Sequence, residues 1–75
     1  MSRLPSITGS EVIRVFEKLG FTEDRARGSH HVLKREGHPY LLTVPVHGNR
    51  AIKPGTLRAL IRLAGITVEE FTSLL

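Results

Sequence analysis

Gly28-Ser29-His30-His31-Val32-Leu33-Lys34-Arg35-Glu36-Gly37-His38-Pro39-Tyr40-Leu41-Leu42-Thr43-Val44 is the stretch on which the fold turns. Gly28 and Ser29 permit a sharp bend, and His30 to Arg35 leaves it as an alternating strand. A glycine-containing loop, Glu36-Gly37-His38-Pro39, reverses the chain, and Tyr40 to Pro45 returns beside it as the second arm of a hairpin. Pro45 ends that strand because proline has no N–H to give to a ladder. Upstream, Phe21 to Arg27 alternates and sits one short turn before Gly28. It reads as an edge strand, although it carries little β-branched weight.

Helices flank this sheet. Thr8-Gly9-Ser10-Glu11 has the spacing of a capping box. Val12, Ile13, Phe16 and Leu19 follow at helical spacing, with Arg14, Glu17 and Lys18 facing outward and Gly20 placed as a C-terminal stop. The helix is expected over residues 9–19, and Met1 to Ile7 is expected to lead in loosely. Val46 to Lys53 reads as a loop turning at His47-Gly48-Asn49. Pro54 suits the first position of a second helix. Its buried stripe is Leu57, Leu60, Ile61 and Ala64, Arg58 and Arg62 lie four apart on the other face, and Gly65 ends it. Thr67-Val68-Glu69-Glu70 repeats the capping box and opens a last short helix carrying Val68, Phe71, Leu74 and Leu75. The expected fold is α+β in the order αβββα, a three-stranded antiparallel sheet with helices on one face and a short C-terminal helix, in one domain over residues 1–75.

Composition narrows the function. At 75 residues, 40% hydrophobic and 24% charged, the chain is an ordinary small globular domain. It has no cysteine, so neither a disulfide nor a thiolate zinc site is available. No apolar run approaches the roughly 18 residues of a membrane span, and the N-terminal residues lack a signal-peptide pattern. The expectation is a cytoplasmic protein with no membrane partner. The formal net charge is +4, but residues 25–62 hold Arg25, Arg27, Lys34, Arg35, Arg50, Lys53, Arg58 and Arg62 against Glu36 alone, which is +7, and leave −3 for the flanks. This central basic block, with all four histidines inside it, reads as a face for a polyanion.

Histidine can take and give a proton near neutral pH. Neighbours in a strand point to opposite faces, so His30, beside Val32 and Lys34, and His31, beside Leu33 and Arg35, cannot share one task. Spacing alone favours a solvated or structural histidine over a catalytic one, and position after a Gly-Ser bend inside the basic block brings the two nearer to even. The four histidines contain no pair at the helical i, i+4 spacing of a zinc protease. His31 and His38 could approach across the hairpin, but no cysteine or nearby carboxylate completes a ligand set, and no metal or other cofactor is expected. The same shortage of acids argues against two-metal nuclease chemistry. Metal-free RNA cleavage remains: a base takes the 2′-OH proton, the 2′-oxygen attacks phosphorus, and cations stabilise the pentacoordinate charge. Lys34, Arg35, Arg50, Lys53, Arg58 and Arg62 are the candidate phosphate contacts. Tyr40 and Phe21, the only aromatics outside the helices, are too few for a base-stacking platform.

Gly28-Ser29-His30-His31 after a strand, Thr43-Val44-Pro45 with His47-Gly48, Ile52-Lys53-Pro54-Gly55-Thr56-Leu57, and Leu60-Ile61-Arg62-Leu63-Ala64-Gly65-Ile66 followed by Glu69-Glu70-Phe71 together resemble the HicA-type mRNA interferase toxins. The resemblance runs from the first helix to the C-terminus. It implies a double-stranded-RNA-binding-like fold, ribosome-independent cleavage of mRNA and neutralisation by a HicB-type antitoxin. It also implies that the catalyst is the fourth residue of a G-S-x-H pattern, which is His31, with His30 its variable neighbour and Gly28 and Ser29 shaping the site. The donor of a proton to the leaving 5′-oxygen stays open between water, Lys34, Arg35 and His47. The alternative function is a non-catalytic RNA-binding module, and a third is an adaptor for an acidic protein.

Overall fold

The computed structural model describes residues 3–75; the first two residues of the lead-in, Met1 and Ser2, lie outside them. The order is α1 (Gly9–Lys18), β1 (Thr22–Arg27), β2 (His30–Lys34), β3 (Leu42–Pro45), α2 (Pro54–Ala64) and α3 (Val68–Ser73). The strands form one antiparallel sheet in the order β1-β2-β3. This is the predicted αβββα arrangement with an added terminal helix.

Local chemistry sets the boundaries. The capping boxes of Thr8 with Glu11 and of Thr67 with Glu70 both form. The Thr8 backbone N–H, and next its hydroxyl, hold the Glu11 carboxyl below the usual carboxylate range. Pro54 stands at the start of α2, and Gly65 closes it in the left-handed conformation. Between β1 and β2, Arg27 pairs with His30 across Gly28 and Ser29 alone, and Gly28 has φ +58° while among the described residues no non-glycine has positive φ. Glycine first and an ordinary residue second is the arrangement of a type II′ hairpin turn.

Paired residues share a face, so the register divides the sheet. His31, Leu33, Leu42 and Val44 point towards the helices, while His30, Val32, Lys34 and Thr43 point away. Both long helices lie against β3. The core joins Val12, Val15 and Phe16 of α1 to Leu33, Leu42 and Val44 of the sheet and to Leu57, Leu60, Ile61 and Ala64 of α2. Phe71 of α3 meets Phe16 edge-on at 5.6 Å between ring centroids. The α2 stripe is as predicted. In α1, Val15 is buried where Ile13 and Leu19 are only partly so, and Leu75 is exposed rather than packed.

Four further expectations are corrected. The described part of the lead-in is not loose: Leu4 and Ile7 pack on the core, the Ile7 carbonyl accepts from the Ile52 N–H at 2.8 Å, and Thr8 bridges to Ala51. Phe21 belongs to the core, not to β1. Arg35 falls just past the end of β2. β3 begins at Leu42, leaving Tyr40 and Leu41 exposed. The last correction follows from His38, whose ring bonds the Leu63 carbonyl at 2.8 Å and so draws the 36–41 loop towards the end of α2 and away from the ladder.

Gly9 fixes how closely α1 approaches the sheet. It is buried, and a Cβ there would collide with the Pro45 carbonyl oxygen. Alanine in a helix ordinarily gains about 1 kcal/mol over glycine. Gly9→Ala is nevertheless expected to destabilise the protein by about 1–3 kcal/mol, because backbone must move to make room. A thermal melt decides the sign, and a rise in Tm would show that Pro45 is not held there.

Candidate active site

His31 is the second residue of β2, on the helix-facing side, at the sheet end shaped by the Gly28-Ser29 turn. Its Cα partners are Ala26 on β1 and Val44 on β3. The helices cover β3 rather than β1, and every residue of β1 is exposed. The His31 ring therefore lies at the rim of the core, its side chain 28% exposed, neither sealed in nor free in solvent.

Its partner is Glu23, whose Oε1 lies 2.7 Å from His31 Nδ1. A carboxylate can only accept, so Nδ1 carries the proton in this bond, and in the neutral ring the lone pair is then on Nε2. Simple alternation along β1 would set Glu23 beside Arg25 and Arg27, on the face away from the helices. A bulge at Asp24 changes this: Glu23 pairs with Leu33 while Arg25 pairs with Val32, which turns Glu23 to the His31 side. The carboxylate that sequence reading found missing near the histidines is supplied by this one extra residue. Drawing β1 back from the two-residue turn in perfect register would have aimed Asp24 there instead.

His30 faces the other way, in a shallow groove with Arg25, Arg27, Val32 and Thr43. On that open face Asp24 binds Arg25 at 2.6 Å and Lys34 at 3.1 Å. The Lys34 ammonium first, and Arg25 after it, hold the Asp24 carboxyl below its ordinary range. Lys34 keeps this partner until the pH falls below the normal carboxylate titration.

The remaining candidates divide into separate places, so the basic block is not one face. The Arg35 guanidinium stacks 4.7 Å from the Phe21 ring centre, donates to the Leu19 carbonyl at 2.9 Å and to His38 Nδ1 at 3.2 Å, and is given to the fold. His38 lies at the far end of the hairpin from His31, so the two histidines weighed as a metal pair do not meet. Arg50 and Lys53 line a cleft of about 350 Å3 with Pro45, His47 and Thr56. Lys53 is also the N-cap of α2, which lacks the side-chain cap that α1 and α3 have. This cleft adjoins the His31 end of the sheet, for Pro45 pairs with His30 and the Val46 N–H donates to the Ser29 carbonyl at 2.7 Å. Arg58 and Arg62 border a different hollow, between α2 and the start of α3.

Together these groups offer a partly exposed imidazole bonded to a carboxylate, next to a cationic cleft, a combination able to move protons beside an anion. Among the described residues no helix is long and apolar enough to cross a membrane. No curated protein matches the chain. Residues 9–66, from the first residue of α1 to just past the Gly65 cap of α2, match the family model of the HicA toxin of bacterial toxin–antitoxin systems. With that match spanning the whole sheet and both long helices, the chain belongs to the HicA toxin family and is the toxin of a toxin–antitoxin system, which implies an antitoxin partner.

Proposed function

We propose that this toxin is a metal-independent endoribonuclease that cleaves mRNA, with His31 as its general base. The observation that carries the reading is the His31–Glu23 pair at 2.7 Å, partly exposed at the sheet end. Glu23 is the positioning residue: by accepting from Nδ1–H it selects the tautomer whose Nε2 is the basic nitrogen. Nε2 takes the proton of a ribose 2′-OH, and the 2′-oxygen attacks the adjacent phosphorus. Arg50 and Lys53 offset the charge that gathers on the phosphate. The attacking group comes from the RNA itself and the base from the protein, so the cycle closes without a metal-activated water. Gly28 and Ser29 form the turn that sets the ring at the rim. Arg58 and Arg62 extend phosphate contact along α2, and Lys34 contributes only where it exchanges Asp24 for RNA.

The antitoxin is proposed to be HicB-like, to work in the cytoplasm, and to silence the toxin by covering His31 and the cleft, where acidic groups would replace phosphates. The alternative, a non-catalytic RNA-binding module, makes no use of the oriented imidazole.

The test is RNA incubated with the protein in EDTA. Expected products end in a 2′,3′-cyclic phosphate and a 5′-hydroxyl, while DNA of the same sequence is untouched because it lacks the 2′-OH. Salt-sensitive binding without cleavage, in EDTA and in magnesium alike, would instead establish the binding module.

A further inference from the structure

The reaction needs two proton transfers, and His31 accounts for one. We propose that the cleft of Pro45, His47, Arg50, Lys53 and Thr56 takes the leaving side of the scissile phosphate, and that His47 delivers the proton to the departing 5′-oxygen. This rests on His31 acting as the base.

Lys34, Arg35, His38 and His30 are each bonded elsewhere or set on another part of the surface, and Lys53 is left to the phosphate oxygens. Arg35 is tied to Leu19, Phe21 and His38, and a guanidinium does not release its proton in any case. Lys34 is bound to Asp24 at the far end of β2, on the face away from His31. His38 is bound on both ring nitrogens at the opposite end of the hairpin. His30 lies on the open face.

His47 differs from all of these. It is exposed, its backbone carbonyl accepts from the Arg50 N–H at 3.0 Å, and it lines a cleft with two cations. It follows Val44, the cross-strand partner of His31, by three residues. Chain reach plus strand spacing keeps the two α-carbons within about 16 Å. Two imidazoles facing each other across a phosphodiester can span that separation. Arg50 and Lys53 then meet the non-bridging oxygens between them. The balance closes: the 2′-OH proton passes to His31, the O2′–P bond forms, the P–O5′ bond breaks, and His47 gives its proton to O5′. The products are a 2′,3′-cyclic phosphate and a 5′-hydroxyl.

The experiment compares ordinary RNA with RNA carrying sulfur in place of the bridging 5′-oxygen at a linkage the parent protein cleaves. A thiolate leaves without being protonated, because a thiol is many units more acidic than an alcohol (a cysteine thiol has a pKa of about 8.5). His47→Ala is expected to cleave ordinary RNA about 10²–10⁴-fold more slowly, to melt like the parent, and to regain most of the parent rate on the sulfur-bridged substrate. His31→Ala stays slow on both. Equal slowing of His47→Ala on the two substrates would mean that His47 only helps to bind phosphate, and full activity on ordinary RNA would remove it from the reaction; either result overturns the proposal while leaving His31 in place. A parent protein that cleaves neither substrate overturns the nuclease reading and this proposal together.

Discussion

His31→Ala is expected to abolish detectable RNA cleavage and, with it, growth arrest on expression. The loss of a positioned base removes about 10²–10⁴-fold in rate, and a toxin slowed that far no longer outpaces synthesis of new mRNA. The substitution should leave the fold intact. The ring sits at the rim and its one side-chain hydrogen bond is to Glu23, which is itself 43% exposed, so no buried charge is stranded when the imidazole goes. A far-UV spectrum and a thermal melt close to those of the parent, together with retained binding to the antitoxin, separate loss of chemistry from loss of structure. His30→Ala provides the internal comparison. It removes a neighbouring imidazole from the opposite face of the same strand, and cleavage should persist. If His31→Ala cleaved RNA at the parent rate, the assignment of the base would be wrong. If instead His30→Ala were the inactive one, catalysis would belong to the open face of the sheet, beside Arg25 and Arg27.

The elements of this fold were readable wherever a local rule and the tertiary structure agree. The caps at Thr8, Pro54, Gly65 and Thr67 act within a few residues, and the stripe Leu57, Leu60, Ile61 and Ala64 records one helix face against one sheet. Opposite facing of His30 and His31 follows from strand geometry alone. The site was legible only in part. Glu23 reaches His31 through a bulge, and one inserted residue inverts every facing beyond it without leaving a periodic mark in TEDRAR. Arg35 looks like another surface cation of the basic block until Phe21 and the Leu19 carbonyl, 14 and 16 residues away, claim its guanidinium. Charge summed along the chain cannot tell a cleft from an open face or an internal contact. It therefore marked a polyanion surface where the molecule has several separate basic patches.

Glu23→Gln is the change that tests whether the bulge serves the chemistry. It should lower turnover without weakening binding. An amide can accept from Nδ1–H or donate to a bare Nδ1, so it no longer specifies which ring nitrogen carries the proton, and the fraction of His31 with a basic Nε2 falls. In a buried aspartate–histidine pair, the corresponding loss of tautomer control costs about 10⁴ in kcat. Here water reaches the 43% exposed Glu23 side chain and offers a partial substitute, so the expected drop in kcat is smaller, about 10–100-fold. KM should fall or hold, because the change removes a negative charge from beside a polyanion's path. A merely structural role would not divide the two constants in this way. It would also leave unmoved the ¹⁵N chemical shifts of the His31 ring, which report the tautomer directly: Nδ1 protonated in the parent, a mixture in Glu23→Gln. An unchanged kcat together with unchanged ring shifts would mean that Glu23 only decorates the rim. The imidazole would then have to find its orientation from the Gly28-Ser29 turn and the packing of Val44 alone.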